Sequence, residues 1–159
     1  MFAQIMTTQA AFRCLLVAAL GLSGLGRALA EPTLADRIQN GDLEGALALV
    51  EHGADVNAAQ PDGTTPLHWA VYKLDVPLVE ALLARGANAS AANDFGSTPL
   101  AEAVKAAQAG LVARLLEAGA DPESRNQDGE TALMLAARAG SLDIAKRLVA
   151  RLLEAGADP

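Results

Sequence analysis

Two histidines, one cysteine and a scatter of carboxylates are the obvious carriers of acid–base, nucleophilic or metal chemistry in this 159-residue chain. Metal ligation by imidazole needs a second ligand at short helical or turn spacing, and neither His52 nor His68 has another histidine there. His52 stands beside Gly53 at a helix end, where the dipole favours a cation. The counterparts of His68 in the phrases described below are Ala101 and Met134, so no imidazole recurs with their period. Cys14 lies within an apolar N-terminal run and follows Ala11-Phe12-Arg13, unlike the apolar and small residues that precede a lipid-modified cysteine. There is no glycine-rich phosphate loop, nucleophile elbow or zinc motif. The acids fall one or two per helical turn, which describes a solvated face; Asp55 and Asp62 can approach each other at loop tips, but nothing tunes them. The reading is of a chain that is not an enzyme, with no catalytic residues, metal ligands or cofactor.

The elements that position these side chains repeat. Gly63, Gly96 and Gly129 each open a similar phrase, and Gly53-Ala54-Asp55, Gly86-Ala87-Asn88 and Gly119-Ala120-Asp121 keep the same 33-residue beat. Self-similarity of this length implies stacked units, each burying its apolar face only against its neighbours. In the second unit Pro61-Asp62-Gly63 forms a turn, Thr65 caps a helix and Pro66 takes the first helical position. Leu67, Ala70 and Val71 share one face. Asp75 caps a second helix whose seam is Leu78, Val79, Leu82 and Leu83, and Gly86 ends it in the left-handed conformation. The third unit matches with Leu100, Ala103, Val104, Leu111, Val112, Leu115 and Leu116. Leu74 and Ala107 stand where Gly41 and Gly140 join the helices of the outer units, which leaves chain direction at those two junctions less sharply specified.

The period and the phrase Thr65-Pro66-Leu67-His68-Trp69-Ala70 resemble the ankyrin repeat family, over Glu31 to the C-terminus. The resemblance implies an all-α repeat: an ankyrin-type solenoid of about four helix-turn-helix units with β-hairpin-like arms, over residues 31–59, 60–92, 93–125 and 126–159. It implies that His68 hydrogen-bonds locally and steadies its arm. Arg37 replaces the alanine of the inner units (Ala70, Ala103, Ala136), as suits a terminal unit with one face in water.

Residues 1–30 are of another kind. Arg13 precedes an uncharged run from Cys14 to Gly26, and Ala28-Leu29-Ala30 carries small residues where a signal peptidase reads. This is the pattern of a secretory signal cleaved before Glu31, too short to span a bilayer. The mature chain then has no thiol, which excludes thiol catalysis, and is expected to be periplasmic or secreted. The leader holds two of the 12 basic residues and none of the 19 acidic ones, so the chain from Glu31 onward carries a formal charge of −9. Such a chain repels phosphate backbones, and nucleic acid and, after cleavage, membrane are not expected as partners.

The C-terminus departs from the beat. Residues 148–159 repeat residues 111–122 without a difference, and the glycine due at position 152 falls at Gly156. Four extra residues turn a helical seam by only about 40°, so a longer final helix can accommodate them. Of two explanations, recombination between repeats and a mis-joined or truncated reading frame, the second is favoured because a working solenoid ends in a polar cap. Leu148, Leu152 and Leu153 are expected to be uncovered, and stability to decline towards that end.

The ankyrin resemblance also implies that arm tips and first helices line a concave groove that binds a partner protein. The matching positions are Pro61, Asp62, Thr64, Tyr72 and Lys73 in the second unit, Asp94, Phe95, Ser97 and Lys105 in the third, and Gln127, Asp128, Glu130 and Arg138 in the fourth. Phe95 replaces a polar tip residue and is the expected hot spot; Trp69 is expected to be partly buried. The leading functional expectation is an exported adaptor, inhibitor or stabiliser acting through that groove. The alternative is an N-terminal repeat module of a longer enzyme or envelope protein.

Overall fold

A threonine starts every first helix. Thr33, Thr98 and Thr131 each accept a backbone N–H three residues on, and Thr65 pairs with His68 instead. The computed structural model describes residues 32–156; the proposed signal lies outside them. Among the described residues there are eight helices: α1 Leu34–Gln39, α2 Leu43–Glu51, α3 Pro66–Tyr72, α4 Val76–Ala84, α5 Pro99–Lys105, α6 Ala109–Glu117, α7 Ala132–Arg138 and α8 Leu142–Glu154. They form four antiparallel pairs. Pro66 and Pro99 occupy first-turn positions where no N–H is needed, and Asp42 and Asp75 cap α2 and α4.

The first helices stack as α1 on α3 on α5 on α7, and second helices pack behind them, α2 on α4 and α6 on α8. Ala70, Ala103 and Ala136 are completely buried. Their lack of bulk lets α3, α5 and α7 approach closely. Behind them Leu82, Leu115 and Leu148, again one repeat apart, are completely buried at the centre of the seam. Their burial makes each unit depend on its neighbour, as the stacked-repeat pattern requires.

The junction between paired helices is left-handed in every unit: φ is +84° at Gly41, +58° at Leu74, +54° at Ala107 and +67° at Gly140. The two non-glycine residues thus hold the same turn as the glycines. Tertiary packing on both sides sets the chain direction there, against the preference of an L-residue.

Arms precede the second, third and fourth pairs. Each is closed by two backbone bonds: Gln60 N to Thr64 O (2.9 Å) with Gly63 N to Gln60 O (2.9 Å), Asn93 N to Ser97 O (3.1 Å) with Gly96 N to Asn93 O (2.8 Å), and Asn126 N to Glu130 O (3.1 Å) with Gly129 N to Asn126 O (2.9 Å). The expected hairpin-like arms are therefore turns; among the described residues the one isolated bridge pairs Arg125 with Thr131. Side chains take over part of the ladder's work, as when Asn93 Oδ1 accepts from Phe95 N and Ser97 N. Neighbouring arms join directly, Asp94 N donating to Asp62 O at 2.9 Å.

Helix α8 runs for 13 residues where α2, α4 and α6 have nine. The four-residue slip is thus taken up as extra helix, and Gly156 ends it at φ +82° just as Gly119 ends α6 at +86°. Ile144 and Leu148 remain on the regular beat and are buried. The expectation that Leu148 is uncovered is corrected: α6 packs over it. Leu152 is half-buried, and Leu153 is 52% exposed.

Candidate partner-binding groove

Phe95 and Tyr72 are the most conspicuous side chains on the arm side of the stack. Phe95 sits on the turn of the third unit's arm and is 62% exposed; Tyr72 ends α3 and is 64% exposed. Both flank a cleft of about 360 Å³ between the second and third units. Trp69 and His68, one turn back on α3, also line it, with Asn93 and Thr64. Asp62 and Glu102 contribute its carboxylates. Trp69 meets the Tyr72 ring edge-on, centroids 5.8 Å apart, and donates Nε1–H to Gln60 Oε1 at 2.7 Å. That bond satisfies the indole's polar end and fixes the ring that supports Tyr72.

His68 is buried and fully occupied. The backbone N–H of Thr65 donates to Nδ1 at 3.2 Å, so Nδ1 is an acceptor and the ring proton resides on Nε2, which donates to Ser97 O at 2.9 Å. Burial, the largest influence, holds its pKa below the ordinary imidazole value despite the opposing Ser97 carbonyl. With both nitrogens engaged, this residue ties the second unit to the arm of the third unit and offers no free base. Asp62 has its pKa lowered, chiefly because its carboxylate accepts the Thr64 N–H, and remains anionic at neutral pH.

Of the positions expected to bind, Asp62, Thr64, Tyr72 and Phe95 converge on this cleft. Asp94 is exposed beside Phe95, and Lys73 is exposed as the residue after α3. Thr64 and Ser97 are buried, so they shape the floor of the surface rather than present side chains from it. Ser97 Oγ donates to Glu102, whose carboxylate also pairs with Lys105 at 3.2 Å. In the fourth unit Arg138 pairs with Glu130 at 2.7 Å, and Asp128 is exposed; these three lie outside the cleft. Sequence reasoning missed Glu102 and Asn93 as lining residues. Glu102 could have been found from its place, one repeat after Trp69 and one helical turn before Lys105.

Among the described residues no three His, Cys, Asp or Glu side chains are grouped to hold a metal ion, and no helix is long and apolar enough to cross a membrane. No curated protein matches the chain. A family model for ankyrin repeats, in three copies, matches residues 34–126 and 104–159. Ankyrin repeats are generally protein–protein interaction modules and typically non-enzymatic. With helix pairs, arms and regular stacking all in place over the matched span, this chain belongs to the ankyrin repeat family.

Proposed function

We propose that the chain is an exported interaction module that binds a partner protein through the concave surface formed by arm tips and first helices. One observation carries this reading: Tyr72 and Phe95 are exposed beside a cleft, while Leu82, Leu115 and Leu148 at the centre of the seam are fully buried. A large aromatic left in water at a loop tip gains most by burial in a partner. Exposed Asp94 and Lys105 add charges of both signs in the third unit, and Asp128 and Arg138 do so in the fourth. Export rests on the composition of residues 1–30, with the mature protein beginning at Glu31. The acidic charge argues against nucleic acid as the partner.

Two measurements test these parts separately. Mass spectrometry of the protein recovered outside the cytoplasm should give an N-terminus at Glu31; a chain retaining residues 1–30 contradicts cleavage. Capture from the exported fraction with wild type and Phe95→Ala, with thermal melts of both, tests the groove. Loss of a hot-spot aromatic weakens binding by about 2 kcal/mol or more, whereas an exposed change moves stability by roughly 0.5 kcal/mol or less. An early melt with every partner retained would return Phe95 to the core.

A further inference from the structure

The repeats provide their own comparison. Tyr72, Lys105 and Arg138 are equivalent positions at the ends of α3, α5 and α7. In the third and fourth units this position is a cation already satisfied by a carboxylate of its own unit, Lys105 on Glu102 and Arg138 on Glu130. In the second unit the cation is absent and an aromatic ring stands in its place. The tip position varies likewise: Asp62 and Asp128 are matched in the third unit by Phe95. Between the second and third units, two exposed aromatic rings therefore share a cleft with the Asp62 carboxylate, while the cleft's other carboxylate, Glu102, is held by Lys105. Asp62 and Asp94 join none of the ion pairs among the described residues.

We infer that the cleft between Tyr72 and Phe95 receives a lysine or arginine side chain from a basic segment of the partner protein. The inference rests on the concave-surface reading above and adds the chemistry of what enters. Aromatic faces attract a cation through their quadrupole, and the Asp62 carboxylate lines the cleft where its charge would settle, with Asp94 exposed next to Phe95. The hydrocarbon stem of a lysine or arginine suits the apolar rings while its head stays with the carboxylates. A purely apolar side chain would cover Asp62 without compensating for its lost hydration. An anionic one would meet unopposed negative charge. Two cations lie nearby. Lys105 is held by Glu102, and Lys73 follows α3 as an exposed residue outside the lining. Neutral His68, with both nitrogens engaged, does not oppose an incoming charge.

Trp69 is the only tryptophan and lies in the cleft wall, so intrinsic fluorescence reports on this site. The probes are nonapeptides alternating alanine with lysine, with arginine or with glutamate, titrated into the protein from Glu31 to Pro159. The lysine or arginine peptide should give a saturable change that weakens as salt is raised, and the glutamate peptide none. Phe95→Ala should weaken binding about tenfold and Asp62→Asn about threefold, in keeping with cation–π and rim-charge contributions. Asparagine retains the oxygen that accepts the Thr64 N–H, and melts of both variants establish that they fold. No response to either basic peptide overturns the inference, as does equal binding of the glutamate peptide. Selection of random displayed peptides on the same protein separates this failure from that of the underlying reading. Apolar or acidic winners that are lost on Phe95→Ala refute the cation but retain the concave surface. Winners indifferent to Phe95→Ala, or none at all, refute both.

Discussion

Replacing Ala107 by glycine should stabilise the protein although it removes a methyl group. Ala107 holds φ at +54° in the α5–α6 junction, where a left-handed L-residue costs about 1–2 kcal/mol. Its side chain is exposed, so no core contact is lost. Glycine is freer in the unfolded chain, which returns about 0.4–1 kcal/mol. The difference leaves a net gain of about 0.5–1 kcal/mol, or roughly 2–4 °C in melting temperature for a domain of this size. Gly140→Ala is the reverse experiment: φ is +67° and an added Cβ meets nothing within 4 Å, so the expected loss of similar size is pure backbone strain. Leu74→Gly should do less than Ala107→Gly. Leu74 is 43% exposed and forfeits about 1 kcal/mol of partial burial, which cancels the relief. Urea and thermal melts followed by far-ultraviolet circular dichroism measure all three. If Ala107→Gly melts at or below wild type while Gly140→Ala is neutral, left-handed strain is not what these junctions carry.

Leu82→Ala should cost about 2–5 kcal/mol through a cavity in the seam, because this side chain is wholly buried between neighbouring units; an unfolding free energy within about 1 kcal/mol of wild type would show that the stack closes over the gap. Gly96→Ala should be more disruptive than Gly129→Ala by more than about 1 kcal/mol, since φ is positive at both but the new Cβ at position 96 would lie 2.9 Å from Gln127 N while that at 129 meets nothing. Equal losses would mean that the arms do not pack as described. Burial holds the folded pKa of His68 below the ordinary 6.5, so the unfolded chain takes up the proton first and stability should fall as pH drops below about 6.5 towards the lowered value. His68→Gln should flatten that part of the profile. The lowered carboxylates of Asp36, Asp42 and Asp62 act in a separate window: their stabilisation is complete above about 3.8 and is lost as pH falls through their folded values. A wild-type profile flat between pH 5 and 7 would contradict the assignment to His68.

The fold was legible in the sequence because its rules are local and recur. A threonine cap, a proline in the first turn, two short apolar stripes and a closing glycine each specify a backbone state from neighbouring residues, and the fixed period renews them unit by unit. The same period placed Ala70, Leu82 and Leu115 in the core and left Tyr72 and Phe95 outside it. Even the four-residue slip before Gly156 was readable as extra helix, since one added turn returns the seam nearly to its starting face.

Other features depend on what lies across the interface between units, which spacing alone does not encode. Thr64 and Ser97 look like exposed polar tip residues, yet the next arm and His68 cover them, and their polar groups turn inward. Leu148, expected to be uncovered in the last helix, is buried under α6 because it keeps the register of Leu82 and Leu115. Leu74 and Ala107 give no local signal for a left-handed turn; the helices packed on either side impose it. The cleft is the clearest case. Asp62, Trp69, Tyr72 and Phe95 are spread along a full repeat of chain and line one cleft only because an arm of one unit lies over the first helix of the unit before it. Sequence determined each unit from within; stacking decided which side chains meet between units.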